Sequence, residues 1–130
     1  MKSLNNSFNP SEFLNIARQL LLINDLDEKG KFRTSIGRAY YSAFLSTRTR
    51  LERGGKRFGS EGQHKKVRDL LKSINMHHMA DQLLELFDYR RDADYYLSDS
   101  INRTMNAVLC NKCILIAEKV IEEIEDIAIK

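Results

Sequence analysis

Length, composition and charge exclude several classes of protein. The chain has 130 residues, of which 42% are hydrophobic and 30% charged, with one proline and six glycines. These values predict a single domain over residues 1–130 and argue against a turn-rich β fold. No apolar run approaches the ~20 residues that cross a bilayer, and residues 1–6 lack the apolar core of a signal peptide. A cytoplasmic protein without membrane contact is therefore expected.

Positive charge is concentrated in one third of the chain. Residues 29–72 contain thirteen Lys and Arg against three Asp and Glu, a net charge of +10, whereas the remaining residues carry −7. Such asymmetry predicts a basic surface facing an anionic partner and an acidic surface elsewhere. Charge alone does not distinguish an RNA from a nucleotide or an acidic protein.

The first half of the chain predicts two helices and a loop. Asn9 is placed to cap the first helix, Phe8 and Phe13 have the spacing of a hydrophobic staple, and the helix should end near Asn24. The second helix is predicted from about residue 28 to 53, and a basic loop with three glycines follows it.

The second predicted helix carries two stripes. An apolar stripe, expected to face the core, contains Ile36, Tyr40, Ala43, Phe44, Thr47 and Leu51. A stripe of mixed polarity contains Thr34, Arg38, Tyr41, Leu45 and Arg48. Two stripes imply two contacts, so the mixed stripe should face a partner or a site.

The second half of the chain predicts three further helices. The third should open at Ser60 with Gln63 at the capping-box position, and the fourth should span about residues 76–96. Uninterrupted helical periodicity predicts the fifth from about residue 100 to residue 127, with Met105, Val108 and Leu109 on its inward face. Cys110 and Cys113 fall inside that helix. Since no second Cys/His pair stands at suitable spacing, they are expected to be reduced apolar fillers, with no metal or cofactor.

Charged and polar residues interrupt the apolar pattern at three places. Arg90 and Asp94 extend the apolar stripe of the fourth helix and are one turn apart, which suits an ion pair. Arg38 and Tyr41 are likewise about one turn apart and could offer a phosphate-binding guanidinium and a stacking ring. His64 shares the apolar face of the third helix. Alternatively, these residues are internal polar struts that tie helices together.

Three short motifs carry a family resemblance. Arg-Ala-Tyr-Tyr occupies residues 38–41, His64 lies near the start of the next helix, and Arg-Arg-Asp-Ala-Asp-Tyr occupies residues 90–95. In this order the motifs resemble the HEPN family, most closely its small stand-alone prokaryotic members. The resemblance implies a five-helix up-and-down bundle, frequent symmetric dimerisation and often a minimal nucleotidyltransferase partner encoded nearby. Many members of that family act as toxins that cleave RNA without a metal.

The chain departs from the family at the residue expected to move protons. Ribonuclease members follow an arginine, after four to six residues, with a histidine, but Tyr95 and Tyr96 stand in that window after Arg90. A phenol with a pKa near ~10 is a poor general base at neutral pH. The resemblance assigns catalysis, if there is any, to Arg90 and Tyr95. Together with the basic charge of residues 29–72, the motifs assign RNA or nucleotide binding to Arg38, Tyr41, His64, Lys65, Arg91 and Asp94.

Three interpretations follow from the sequence. The first is a HEPN-type dimer that binds RNA or nucleotide phosphate as the toxin-like component of a two-gene system with a minimal nucleotidyltransferase. The second is a non-catalytic protein-interaction module. The third is a metal-independent ribonuclease in which His64 replaces the missing histidine. The basic charge of residues 29–72 favours an anionic partner in each case.

Overall fold

The fold is all helical over the part of the chain that the structure describes. A computed structural model describes residues 8–127, which form six α-helices and no β-strand. The helices are α1 (Glu12–Leu20), α2 (Glu28–Arg53), α3 (Gln63–Ser73), α4 (His77–Tyr95), α5 (Asp99–Thr104) and α6 (Ala107–Glu125). The all-α prediction is confirmed, but the predicted count of five helices is one short. The prediction about residues 1–6 lies outside the described residues.

Helix α2 is the centre of the fold. Its predicted bounds are confirmed, and the Asp27 carboxylate caps it by accepting a hydrogen bond from the Gly30 amide at 2.8 Å. All six residues of the predicted apolar stripe are buried. They pack mainly against α1, α4 and α6, while the mixed stripe, which includes Arg38 and Tyr41, stays partly exposed. The mixed stripe therefore lies where side chains from neighbouring helices can reach it.

The starts of α1 and α3 differ from prediction by two or three residues. Asn9 caps a turn before α1, since its side-chain oxygen accepts from the Ser11 amide at 3.0 Å, and Phe8 packs on Phe13 with ring centroids 5.0 Å apart. The prediction that α3 opens at Ser60 is wrong. Gly62 precedes the helix in a left-handed conformation with φ of 63°, which an L side chain rarely adopts, so the chain turns there.

The predicted fifth helix is interrupted. Met105 is buried with an extended backbone, and Asn106 starts a new helix by accepting a hydrogen bond from the Leu109 amide at 2.8 Å. An asparagine cap of this kind restarts the helical phase. As a result Val108, which the uninterrupted pattern placed inward, is 79% exposed.

Several cations of α2 cap the ends of other elements. Lys29 donates to the Met105 carbonyl at 2.7 Å, and Arg50 donates to the Ile127 carbonyl at 2.6 Å. Arg33 donates to the carbonyls of three residues at the end of α4, the shortest contact being 2.9 Å to Ala93, and to the Asn102 side chain at 3.1 Å. These carbonyls lie at or beyond helix ends, where intrahelical donors run out, although the Asp92 carbonyl also accepts from the Tyr96 amide at 3.2 Å. Part of the basic charge of residues 29–72 is therefore structural.

The two cysteines are apolar fillers as predicted. Both are buried and free. Burial raises the pKa of the Cys110 thiol to about 11 and that of Cys113 to about 12. Between residues 8 and 127, no helix is both long and apolar enough to span a membrane.

Candidate functional site

An aromatic cluster forms where α2, α3 and α4 meet. The His64 ring of α3 stacks on Phe44 of α2 with ring centroids 4.4 Å apart and lies 5.3 Å from Phe87 of α4. Tyr40 and Tyr41 of α2 complete the cluster, at 5.6 and 6.2 Å from the His64 ring. Burial of these apolar rings holds α3 against the other two helices and fixes the orientation of His64.

Three guanidinium groups surround this cluster, one from each helix. Arg48 of α2 lies 5.8 Å from the Phe44 ring, Arg68 of α3 lies 5.1 Å from the Phe87 ring, and Arg90 of α4 lies 5.1 Å from the Tyr41 ring. Each of these rings also contacts His64. The arrangement gathers three positive charges around one half-buried histidine, held by cation–π contacts.

His64 is neutral at pH 7 in this environment. Burial, reinforced by the three guanidinium groups, lowers the pKa of its imidazole below the ordinary value near 6.5. The Tyr40 hydroxyl makes a short hydrogen bond with the His64 Nδ1. Burial raises the pKa of the Tyr40 phenol well above its ordinary value, so the phenol keeps its proton. When the phenol donates to Nδ1, the ring proton is on Nε2.

The guanidinium groups retain unused hydrogen-bond donors. Arg68 Nη1 and the Nε atoms of Arg48 and Arg90 are buried, and none donates a hydrogen bond of good geometry to any of residues 8–127. Arg90 Nε lies 2.9 Å from Asp94 Oδ2, so that pair is an ion contact whose N–H is poorly aligned. Buried donors are costly to leave without an acceptor, so the cluster combines positive charge with hydrogen-bonding capacity that residues 8–127 leave unsatisfied.

The predicted pair of Arg90 and Asp94 is present and lies beside the cluster. The Arg90 side chain is 14% exposed and lies between two tyrosines, 5.1 Å from the Tyr41 ring and 5.6 Å from the Tyr95 ring. Asp94 lies close to α2, since a Cβ atom at Gly37 would be in ordinary van der Waals contact with Asp94 Oδ1 at 3.7 Å. Asp94 therefore holds the guanidinium of Arg90 over the face of Tyr41.

The structure brings most, but not all, of the predicted site residues together. Arg38 lies 5.4 Å from the Tyr41 ring, which it shares with Arg90, and 4.9 Å from the Phe13 ring. The other two predicted cations, Lys65 and Arg91, pair with carboxylates outside the cluster. Lys65 is exposed and pairs with Asp69 at 2.8 Å, and Arg91 is exposed and pairs with Asp88 at 3.4 Å. These two cations lie on the outer surfaces of α3 and α4.

Sequence reasoning missed two of the three arginines around His64. Arg68 follows His64 by four residues, so helical spacing alone places it on the same face of α3. Arg48 belongs to the predicted mixed stripe of α2. Its guanidinium also contacts the first residue of α3, because Nη1 donates to Gln63 Oε1 at 2.7 Å. The side-chain amide of Gln63 in turn donates to the Gly59 carbonyl at 2.7 Å.

Neither the described side chains nor comparison with known proteins indicates a metal centre or a family. Among the described residues, no group of three or more His, Cys, Asp and Glu side chains is placed to hold a metal ion. Comparison with family models, with curated proteins and with solved structures gave no significant match to this chain.

Proposed function

We propose that this chain is a HEPN-type helical protein that binds the phosphate groups of RNA or of a nucleotide at the arginine-rich cluster around His64. Its role as the toxin-like component of a two-gene system with a minimal nucleotidyltransferase, in the cytoplasm, belongs to the same proposal and is supported by the motifs at residues 38–41 and 90–95.

One observation carries the proposal: guanidinium groups from three helices surround one cluster, and each has a buried N–H that makes no well-aligned hydrogen bond to residues 8–127. Arginine binds phosphate through several fixed N–H donors, and exposed aromatic faces accept bases by stacking. Tyr95 lies beside Arg90 and is exposed, which makes it a candidate surface for a base. Of the described carboxylates, Glu52 and Asp94 contact these arginines, so positive charge is in excess.

Binding can be tested with a fluorescein-labelled single-stranded RNA and with unlabelled AMP as competitor. Arg68→Gln is expected to weaken RNA binding and to reduce the slope of log affinity against log salt by about one, because one phosphate contact is lost. Arg103→Gln, which removes an exposed charge on α5, is the matched control and should leave both quantities unchanged. Equal affinities and equal slopes for the wild type and Arg68→Gln would refute the site.

The proposal expects binding without efficient cleavage. His64 Nδ1 is engaged by Tyr40, and Tyr95 lies where the family places its histidine. Purified wild-type protein should therefore leave the labelled RNA intact on a denaturing gel in the presence of a chelator. Metal-independent cleavage that Arg90→Ala abolishes would instead establish the ribonuclease interpretation, with the arginine stabilising the transferring phosphate.

A second candidate function, protein interaction, is favoured by the outer face of α6. Val108 is 79% exposed and Leu115 56% exposed, on one stripe with Lys112 and Lys119. Exposed acidic residues occupy the last turn, so a second copy running antiparallel would present complementary charge. Light scattering at micromolar concentration should then give about twice the 15.1 kDa chain mass, and Leu115→Glu should give the monomer. A monomeric wild type would contradict this dimer.

A further inference from the structure

We propose that binding of an oxyanion among Arg48, Arg68 and Arg90 is coupled to proton uptake by His64, so that the site binds dianions more tightly as the pH falls. This inference rests on the proposed function, because it concerns the same cluster. It adds a regulatory property to that cluster, namely that the protonation state of one histidine sets the affinity for the anion.

The groups that face His64 come from all three helices packed around it. From α2 come the Tyr40 hydroxyl on Nδ1, the Tyr41 ring and the Arg48 guanidinium, which has Glu52 as its carboxylate partner at 3.8 Å. Its own helix α3 contributes Arg68 one turn further on. From α4 comes Arg90 with its carboxylate partner. The neighbouring Lys65 is paired with Asp69 on the exposed side of α3.

Charge around the ring explains why the histidine is neutral without an anion. A protonated imidazole would be the fourth cation in a half-buried cluster, and it would lose the acceptor Nδ1 that Tyr40 contacts. Both effects oppose protonation. Neither the two tyrosines nor the ion pairs of Arg48 with Glu52 and of Arg90 with Asp94 add a net negative charge that would reverse these two effects.

An anion held by the guanidinium groups reverses this balance. Its negative charge cancels the repulsion that the arginines exert on an imidazolium, so protonation becomes easier when the anion is bound. By thermodynamic linkage, anything that makes the proton bind more tightly to the complex makes the anion bind more tightly to the protonated protein. The affinity for the anion should therefore rise as the pH falls through the range in which His64 titrates, and level off below it.

Sulfate is the suitable probe because it stays a dianion across this range, whereas a phosphate monoester titrates near pH ~6 itself. The ring protons of His64 are followed by NMR between pH 5 and 8, with and without sodium sulfate, in sodium chloride adjusted to equal ionic strength. The exposed residues His77 and His78 are internal controls in the same sample. Sulfate should move the titration midpoint of His64 to higher pH, whereas at a fixed pH it should leave the ring signals of His77 and His78 unchanged.

Sulfate affinity provides a second measurement. From pH 7.5 to pH 5.5 the wild type should gain about threefold to tenfold in affinity, since one unit of difference in pKa between free and bound protein is a factor of ten. His64→Gln, which keeps a polar group for Tyr40, should bind sulfate at pH 7.5 and lose that gain.

The outcomes separate the two proposals. Sulfate that binds with equal affinity at both pH values, with no shift in the His64 midpoint, overturns the coupling and leaves the anion site intact. The coupling also fails if His64→Gln shows the same pH dependence as the wild type. Absence of sulfate binding at any pH overturns both the coupling and the proposed anion site.

Discussion

Replacing His64 by alanine should destabilise the fold by about 1.5–4.5 kcal/mol. The Tyr40 side chain is 1% exposed, so loss of the imidazole leaves a buried hydroxyl without its partner, which costs about 1–3 kcal/mol. Loss of the ring packing on Phe44 and Phe87 adds about 0.5–1.5 kcal/mol. Both contributions join α3 to the rest of the bundle, so α3 should be the part of the molecule most affected.

A double-mutant cycle in urea isolates the hydrogen bond. Tyr40→Phe removes the buried hydroxyl, so adding His64→Ala to that background should cost about 1–2 kcal/mol less than in the wild type. His77→Ala is the matched control. Because His77 is exposed on α4, its replacement should change the free energy of unfolding by less than about 0.5 kcal/mol.

Unfolding of His64→Ala at the same urea concentration as the wild type would contradict the predicted loss of stability. An equal cost of His64→Ala in the two backgrounds would also contradict the prediction, because the contact between Tyr40 and His64 would then carry no coupling energy.

Three further predictions concern other parts of the molecule. Arg33→Ala should speed amide hydrogen exchange most strongly in residues 92–105, since it removes the donor that caps the end of α4; unchanged exchange there would contradict this role. Folding lowers the pKa of His64, so at pH values below the ordinary histidine pKa near 6.5 the unfolded chain binds more protons than the folded chain. In chloride buffer, the free energy of unfolding should therefore fall between pH 7 and 5, and it should fall less in His64→Gln. Cys110 and Cys113 should react with a thiol reagent only after denaturant is added, as burial and raised pKa values keep both as thiols; rapid labelling of native protein would show otherwise.

Helical periodicity predicted the long elements well and their ends less well. The stripe of α2 survives in the structure because a 26-residue helix repeats its pattern many times. The break before α6 depends on one asparagine cap, and the periodicity of Met105, Val108 and Leu109 does not reveal it. A cap depends on one hydrogen bond, whereas helical periodicity is a property of many residues, so periodicity does not locate a cap.

The candidate site was predictable only where its members share a helix. The ion pair of Arg90 and Asp94 follows from a spacing of four residues. Arg48 and Arg68 reach the same cluster from different helices, and their meeting depends on how α3 packs against α2 and α4. The basic charge of residues 29–72 predicted the location of the site only in part. Three of these cations, Lys29, Arg33 and Arg50, donate to backbone carbonyls elsewhere in the fold.

The carbonyl caps made by α2 have a consequence for how the molecule unfolds. Lys29, Arg33 and Arg50 bridge residues between 59 and 77 positions apart in the chain, so each cap exists only when distant segments are assembled. Opening α2 removes the caps of α4 and of the segments that begin and end α6 at once. We therefore expect denaturation to be a single cooperative transition, with α2 and its capped neighbours exchanging their amides as one unit.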